Sequence, residues 1–166
     1  MILAKTSFRP GRAEDLPGIL AVQRRAFGQD AEANLVEKLL ADETETLSMV
    51  AELDGRIIGH VLLSAVGGPE RSLALAPLGV DPDWRDFLIG TELTRTAITA
   101  ARERGWLSVF VLGDPVYYGR FGFTSALADC VTSPWQGPHL MALELVPGGL
   151  FGYRGPLRYP EAFDAL

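Results

Sequence analysis

The chain has 166 residues, which fits one domain spanning residues 1–166. Apolar residues make up 48% and charged residues 22%, values that exclude a disordered tail protein and a fibrous repeat. The net charge of -6 argues against broad nucleic-acid binding, so no nucleic-acid partner is expected. Cys130 is the single cysteine, which excludes an internal disulfide and a cysteine-based metal site, and we expect no bound metal.

The apolar residues are distributed in short runs. None approaches the roughly 20 residues that a membrane helix needs, and the first residues lack the apolar core of a secretory leader. We therefore expect no membrane partner and a cytoplasmic location, in which the lone thiol stays reduced.

The first part of the chain predicts a strand followed by two helices. A short strand over 8–12 leads to Asp15, which is expected to cap a helix whose apolar residues recur at helical spacing up to Gly28. A second helix is predicted over 30–41, with one apolar face.

A β-hairpin follows. The runs 48–53 and 56–64 have β-type composition and are joined by Asp54-Gly55, the dipeptide that suits a two-residue type I′ turn. Both central positions of such a turn need a positive φ, which Asp and Gly tolerate.

The next predicted strand, 72–80, is nearly continuous in apolar residues but contains Pro77 and Gly79. A proline and a glycine within a strand indicate a bulge or a backbone that is left free of its neighbour.

The remaining elements predict a crossover and then further strands. A helix over 90–104 and a buried strand over 107–112 follow the preceding strand at the spacing of a right-handed crossover, so the two strands are expected to be parallel. A short helix near 116–121 and strands at 123–127 and 139–146 complete the pattern. The fold class is therefore α+β with a mixed sheet.

The segment 78–93 is a strand, a loop and a helix start, where free backbone N–H groups and the helix dipole favour a phosphate. It resembles the cofactor motif of the GNAT superfamily of N-acetyltransferases, in which Arg or Gln, two residues, Gly, one residue and Gly or Ala wrap the pyrophosphate of acetyl-coenzyme A (acetyl-CoA). Arg85 and Gly90 stand at the first and last of those positions.

A second block lies downstream. Residues 113–123 read Gly-Asp-Pro-Val-Tyr-Tyr-Gly-Arg-Phe-Gly-Phe, which is similar to the family's short helix carrying a tyrosine and closing with Gly-Phe. The resemblance implies that Tyr118 is the general acid that protonates the departing coenzyme A (CoA) thiolate. Asp114, followed by Pro115, has instead the pattern of an N-cap and a first helical residue.

The resemblance covers most of the chain and implies a largely antiparallel sheet with a central parallel strand pair, flanked by helices. It implies acetyl-CoA as co-substrate, and a primary amine of a small molecule or peptide that attacks the thioester directly. The residues expected to contact the cofactor are Leu78, Gly79, Val80, Arg85, Asp86, Phe87, Leu88, Ile89, Gly90 and Thr91.

Two residues depart from the family's loop. Leu88 stands where the family has its first glycine, and a positive φ there would cost a leucine about 1–2 kcal/mol. Asp86 adds a negative charge close to the expected phosphates. The alternative is therefore a non-catalytic module of the same fold that binds a small ligand or a partner protein, with weak or no acetyl-CoA binding.

Two further features carry expectations. His60 lies in an alternating strand and is expected to be a packed or hydrogen-bonded histidine, not a base. The aromatic and basic tail, 150–160, is expected to cover the acceptor side or a homodimer surface, or to pack on the last strand.

Overall fold

The structure, a computed structural model, describes residues 1–166. The helices are α1 (Ile2–Lys5), α2 (Leu16–Phe27), α3 (Ala31–Ala41), α4 (Ile89–Glu103) and α5 (Pro115–Gly119). The strands are β1 (Ser7–Pro10), β2 (Thr46–Leu53), β3 (Arg56–Ala65), β4 (Ser72–Val80), β5 (Ser108–Leu112), β6 (Val131–Thr132), β7 (Leu140–Glu144) and β8 (Gly155–Pro156). Short 3-10 helices lie at Ala13–Asp15, Pro82–Trp84, Ala126–Cys130 and Glu161–Ala165.

Six strands form one mixed sheet in the order β1-β2-β3-β4-β5-β7, and β6 and β8 form a separate small pair. Every neighbouring pair in the large sheet is antiparallel except β4 and β5, which are parallel. The predicted α+β class, with its central parallel pair reached through a helical crossover, is confirmed.

Helices cover both faces of the sheet. Leu93 and Ala97 of α4 pack in the largest apolar cluster, on one face of the central strands. Ile19 of α2 and Leu39 of α3 pack with Val50 and Leu62 on the opposite face. A third cluster joins β5 and β7 to the C-terminal tail. No helix is both long and apolar enough to cross a membrane.

The hairpin turn has the predicted geometry. Asp54 and Gly55 have φ values of 51° and 76°, as a type I′ turn requires. The predicted strand over 123–127 is wrong, because only Thr124 bridges to Ala142. The Thr124 hydroxyl then accepts a hydrogen bond from the backbone N–H of Leu127 (3.2 Å) and turns the chain into a 3-10 helix.

Asp15 has a different role from the one predicted. It stands at the residue before α2, but its side chain makes no capping hydrogen bond there. The carboxylate instead accepts from Arg9 Nη1 (2.7 Å) and Nη2 (3.0 Å) and from the backbone N–H of Arg12 (2.7 Å). The hydrogen bonds from Arg9 hold the pKa of Asp15 below its usual value. The interaction ties the start of α2 to β1.

Gly59 permits the close approach of α4 to the sheet. A Cβ at this position would lie 2.8 Å from Leu93 Cδ1 and 3.1 Å from Ile89 Cγ2, and both leucine and isoleucine are buried. A larger side chain at this position therefore requires the buried side chains of Leu93 and Ile89, or the helix that carries them, to shift.

Gly59→Ala is expected to lower the free energy of unfolding by about 1–3 kcal/mol, because it overpacks a filled core. Urea denaturation followed by circular dichroism measures the change. Gly119→Ala, where a new Cβ meets nothing within 4 Å, is the matched control and should leave the stability within about 0.5 kcal/mol of the parent. Equal stability for both variants would contradict the close approach.

Candidate active site

The centre of the sheet contains a gap between its two parallel strands. β4 and β5 pair only where Ser72, Leu73 and Ala74 lie beside Ser108, Val109 and Phe110. Beyond these residues β4 remains paired with β3, and β5 remains paired with β7. The backbone of 75–80 therefore has a free edge towards β5. The predicted free backbone near Pro77 and Gly79 is confirmed.

The loop after β4 adopts an unusual backbone at two residues. Asp86 and Leu88 have φ values of 69° and 65°, both in the left-handed region. Leu88 therefore has the positive φ expected for the glycine that stands at this position in the family's loop. For a leucine this backbone conformation costs about 1–2 kcal/mol of conformational free energy. The leucine side chain is 58% exposed, so it projects to solvent instead of filling the loop.

The loop leads directly into an open helix N-terminus. Leu88 is the N-cap of α4, and it supplies no side-chain hydrogen bond to the first turn. The backbone N–H groups at the start of a helix have no partner within the helix. Together with the helix dipole, those of Ile89, Gly90 and Thr91 form a site suited to a phosphate.

A cleft of about 330 Å³ lies at this helix start. Seven of the ten predicted cofactor residues line it, together with three that were not predicted: Val80, Arg85, Asp86, Leu88, Ile89, Gly90 and Thr91, then Trp84, Tyr117 and Arg120. Gly90 keeps the cleft open, since a Cβ there would lie 3.4 Å from the Tyr117 hydroxyl and 3.5 Å from Val80.

The other three predicted cofactor residues do not line the cleft. Leu78 packs near Gly90 on the side of the sheet that carries α4. Gly79 faces Gln23 of α2 on the opposite side. Phe87 packs against Trp84, with 6.0 Å between ring centroids. These positions leave only the backbone of 78–79 free to contact a ligand in the gap.

Two arginines line the cleft, and their guanidinium groups make different contacts. Arg85 donates a hydrogen bond to the backbone carbonyl of Ala26 in the last turn of α2, so its guanidinium is held against that helix. Arg120 lies over the Tyr117 ring, 4.7 Å from its centroid. Sequence reasoning missed Arg120, although its place three residues after Tyr117 on a short helical turn was a usable signal.

A buried carboxylate fixes the start of the loop. Asp81 is 1% exposed and accepts hydrogen bonds from Arg25 Nε and Nη2, both at 3.0 Å, and from the backbone N–H of Asp83. The hydrogen bonds from Arg25 hold its pKa below the usual value. The pair joins the end of β4 to α2, a contact between distant segments that the sequence does not reveal.

Tyr118 lies at the far side of the gap, on α5. Asp114 caps this helix by accepting from the backbone N–H of Val116 (3.0 Å), as predicted. The Tyr118 ring lies against Gly113, the residue after β5, and stacks edge-on with Tyr117 at 4.9 Å. Burial, and to a lesser extent Tyr117, raises the pKa of Tyr118 to about 12, so the phenol is protonated at neutral pH.

His60 is a buried structural histidine, as predicted. Its Nδ1 lies 2.8 Å from Gln23 Nε2, and its Nε2 lies 2.8 Å from Ser48 Oγ. An amide NH₂ group only donates, so Nδ1 accepts and the ring proton sits on Nε2. Burial lowers the pKa of His60 to about 3. No group of His, Cys, Asp and Glu side chains that could hold a metal ion is found.

His60 should make stability depend on pH. Its pKa is about 3 in the folded chain and near 6.5 when unfolded, so the unfolded state binds the extra proton and stability falls as the pH drops below 6.5. Between pH 7 and pH 5 the loss attributable to His60 is about 2 kcal/mol. Urea denaturation at several pH values measures it.

His60→Gln should lose that part of the pH dependence while starting from a lower stability. His139→Gln, which replaces the exposed second histidine, is the control and should retain the parent's slope. A parent-like slope in His60→Gln would contradict the buried neutral state.

Comparison with known proteins agrees with this geometry. Residues 15–123, well over half of the chain, match the model of the Acetyltransferase (GNAT) family. The mixed sheet, the gap between its parallel strands and the open start of α4 agree with this family match. The chain belongs to the GNAT family.

Two curated relatives come from Escherichia coli K12. The chain is 36% identical over 156 residues to the uncharacterised N-acetyltransferase YhbS, covering 90% of this chain and 93% of that protein. It is 39% identical over 122 residues to the uncharacterised N-acetyltransferase YjhQ, covering 69% and 67% respectively.

Solved structures show the same fold. The crystal structure of E. coli YhbS in complex with CoA matches with a TM-score of 0.90 and 34% identity, covering 96% of this chain and 92% of that one. A GNAT family acetyltransferase from Brucella melitensis in complex with acetyl-CoA matches with a TM-score of 0.79 and 29% identity, covering 96% and 98%.

Proposed function

We propose that the protein transfers the acetyl group of acetyl-CoA to a primary amine of a small molecule or peptide, in the cytoplasm and without an acyl-enzyme. The observation that carries this proposal is the gap between β4 and β5, which opens beside the anion-binding start of α4 and has Tyr118 on its far side. The relatives whose structures contain CoA or acetyl-CoA support it.

In this proposal the cofactor's pyrophosphate binds the first backbone N–H groups of α4, at Ile89, Gly90 and Thr91. The pantetheine arm would follow the free backbone edge of 78–80 into the gap. Arg120 supplies a positive charge at the cleft, and Arg85 would add a second one by exchanging its hydrogen bond with Ala26 for a phosphate.

The reaction needs positioning more than covalent chemistry. The neutral amine nitrogen attacks the thioester carbonyl carbon, the C–N bond forms, and the C–S bond then breaks. The amine loses a proton to water, and the sulfur gains one. A backbone N–H near Val80 polarises the carbonyl oxygen as negative charge develops on it. Tyr118 is the proposed general acid for the sulfur.

The raised pKa of Tyr118 limits how far that proton moves. A thiol titrates near 8.5, whereas the buried phenol titrates at about 12, so complete transfer to the thiolate is uphill. Tyr118 therefore acts best as a hydrogen-bond donor that stabilises the sulfur while the C–S bond breaks, and water completes the protonation.

Acetyl-CoA binding is the first test. Isothermal titration calorimetry of the parent chain should give a micromolar Kd, since Leu88 already has the loop's positive φ. Asp86→Ala should tighten binding about threefold to tenfold at low salt and less at high salt, because it removes a like charge from the cleft. Leu88→Gly should bind at least as tightly as the parent.

Asp83→Ala is the matched control for the charge. Asp83 is an exposed carboxylate of the same loop that does not line the cleft, so its removal should leave the Kd within about twofold. Absence of binding by the parent and by both cleft variants would refute the acetyltransferase and favour the alternative, a non-catalytic module of the same fold.

Tyr118→Phe tests the role of the Tyr118 hydroxyl at the leaving sulfur. It should lower kcat by about 10- to 100-fold and leave the KM for acetyl-CoA within about twofold, because the hydroxyl acts in the transition state. In the parent, kcat should not fall with rising pH below about pH 10, since the phenol stays protonated.

Steady-state kinetics with a thiol reagent for released CoA measures both quantities. Tyr153→Phe removes a hydroxyl that only donates to the Pro156 carbonyl and should retain parental kcat. A Tyr118→Phe variant as active as this control would exclude Tyr118 from the chemistry.

A further inference from the structure

A second cavity lies at the same gap but on the other face of the sheet. It has a volume of about 250 Å³ and is lined only by apolar and aromatic side chains, from both central strands and three later segments: Leu75, Ala76, Leu112, Trp135, Tyr159, Phe163 and Leu166. We call it the apolar pocket.

The apolar pocket opens where the two parallel strands separate. The last pair of the β4–β5 ladder is Ala74 with Phe110. Leu75 and Ala76 follow directly after this pair in β4, and Leu112 lies two residues after it in β5. Phe163 packs in the cluster that holds α2 and α3, on the face opposite α4. The cofactor cleft and the apolar pocket therefore reach the gap from opposite sides.

Its rim is open to solvent. Leu112 is 45% exposed, Trp135 is 39% exposed and Leu166 is 60% exposed. A ligand can thus enter from solvent without passing the cofactor cleft. This access fits the acceptor, whereas an acyl chain attached to the cofactor would arrive through the gap itself.

The pocket offers almost no polar group. No charged side chain lines the pocket. An ammonium group placed inside it would therefore lose its hydration without gaining an ion-pair partner. The polar atoms among the lining side chains are the indole Nε1 of Trp135 and the Tyr159 hydroxyl, which is buried and has no hydrogen-bond partner. This hydroxyl is inaccessible to solvent, so the surface that the pocket offers to a ligand is almost entirely apolar.

We infer that the acceptor is a compact apolar primary amine, of the arylalkyl or branched-alkyl class, whose apolar body occupies the apolar pocket. This inference rests on the proposed acetyl transfer. The pocket lies just below the roughly 300–1,000 Å³ typical of ligand pockets, which suits one ring or a branched chain and excludes polyamines and amino sugars.

The test compares three acceptors with acetyl-CoA: 2-phenylethylamine, ethylamine and spermidine. The parent's kcat/KM should be at least about tenfold higher for 2-phenylethylamine than for the other two, since only its body fills the pocket. Leu112→Trp, which narrows the pocket, should raise the KM for 2-phenylethylamine about tenfold and leave that for ethylamine unchanged.

Leu40→Trp is the matched control, because Leu40 has a similar exposure of 37% and lies on α3 outside the pocket. It should behave as the parent with all three amines. Leu166→Trp, at the exposed rim, is a second narrowing variant in case Leu112→Trp unfolds, and thermal melts report the folding of each variant.

Three results would overturn the inference. One is a preference for spermidine over 2-phenylethylamine. Another is unchanged kinetics in both narrowing variants. A third is a parent that prefers octanoyl-CoA to acetyl-CoA, with only that preference lost in Leu112→Trp, which would assign the pocket to the acyl chain. In each of these cases acetyl-CoA still binds in calorimetry and is consumed, whereas failure of the proposed function removes both signals.

Discussion

The parallel ladder between β4 and β5 is only three residues long, and the candidate site depends on that limit. A ladder continued to Val80 would satisfy the backbone groups of β4 and close the sheet. Instead β4 stays with β3 through a register shift between Val61 and Leu63, while β5 stays with β7 as far as Leu112. The free edge is thus a consequence of how each central strand pairs with its outer neighbour.

The two sides of the gap differ in chemistry. One side has the open start of α4 with Arg85 and Arg120 nearby, which suits the phosphates of a nucleotide cofactor. The other side has the apolar pocket, where charge is excluded. In the proposed two-substrate reaction this division would favour correct placement, because each ligand would be disfavoured in the other's place by desolvation or by loss of burial.

Asp86 and Leu88 change the character of the loop before α4 without closing the cleft beside it. Both side chains are exposed, and both residues hold a left-handed backbone that glycine would hold without strain. The loop stays in place because Asp81 and Arg25 anchor its start and α4 anchors its end. Strain of about 1–2 kcal/mol at a residue is tolerable where the surrounding contacts are this strong.

Much of the fold could be predicted because its signals are local. The Asp54-Gly55 turn, the glycine after α2 and the crossover through α4 each depend on a few adjacent residues. The failures involve distant partners or very short elements. Asp15 has the composition of a cap, but Arg9 competes for its carboxylate, and the segment after Phe123 bends because Thr124 bonds to the backbone of Leu127.

The same distinction applies to the candidate site. The part that lies in one continuous segment, from Val80 to Thr91, is readable as a motif, and most of it lines the cleft. Arg120 approaches from α5, and the Arg25–Asp81 pair joins α2 to β4. The apolar pocket combines β4, β5, the loop that carries Trp135 and the C-terminal residues from Tyr159 to Leu166. Only tertiary packing brings residues from such distant segments together, so no local sequence pattern predicts these contacts.

The closed end of the gap has a mechanical consequence. Ser72 and Ser108 are the first paired residues of the β4–β5 ladder, both are buried, and their hydroxyls hydrogen-bond each other at 2.6 Å. From Ser72 to Val80 the strand runs roughly 26 Å, eight residues at about 3.3 Å each. A change of about 5° between the two strands at the serine pair would therefore move the open end of the gap by about 2 Å. Substitutions at the closed end, far from either ligand, would therefore change the width of the gap.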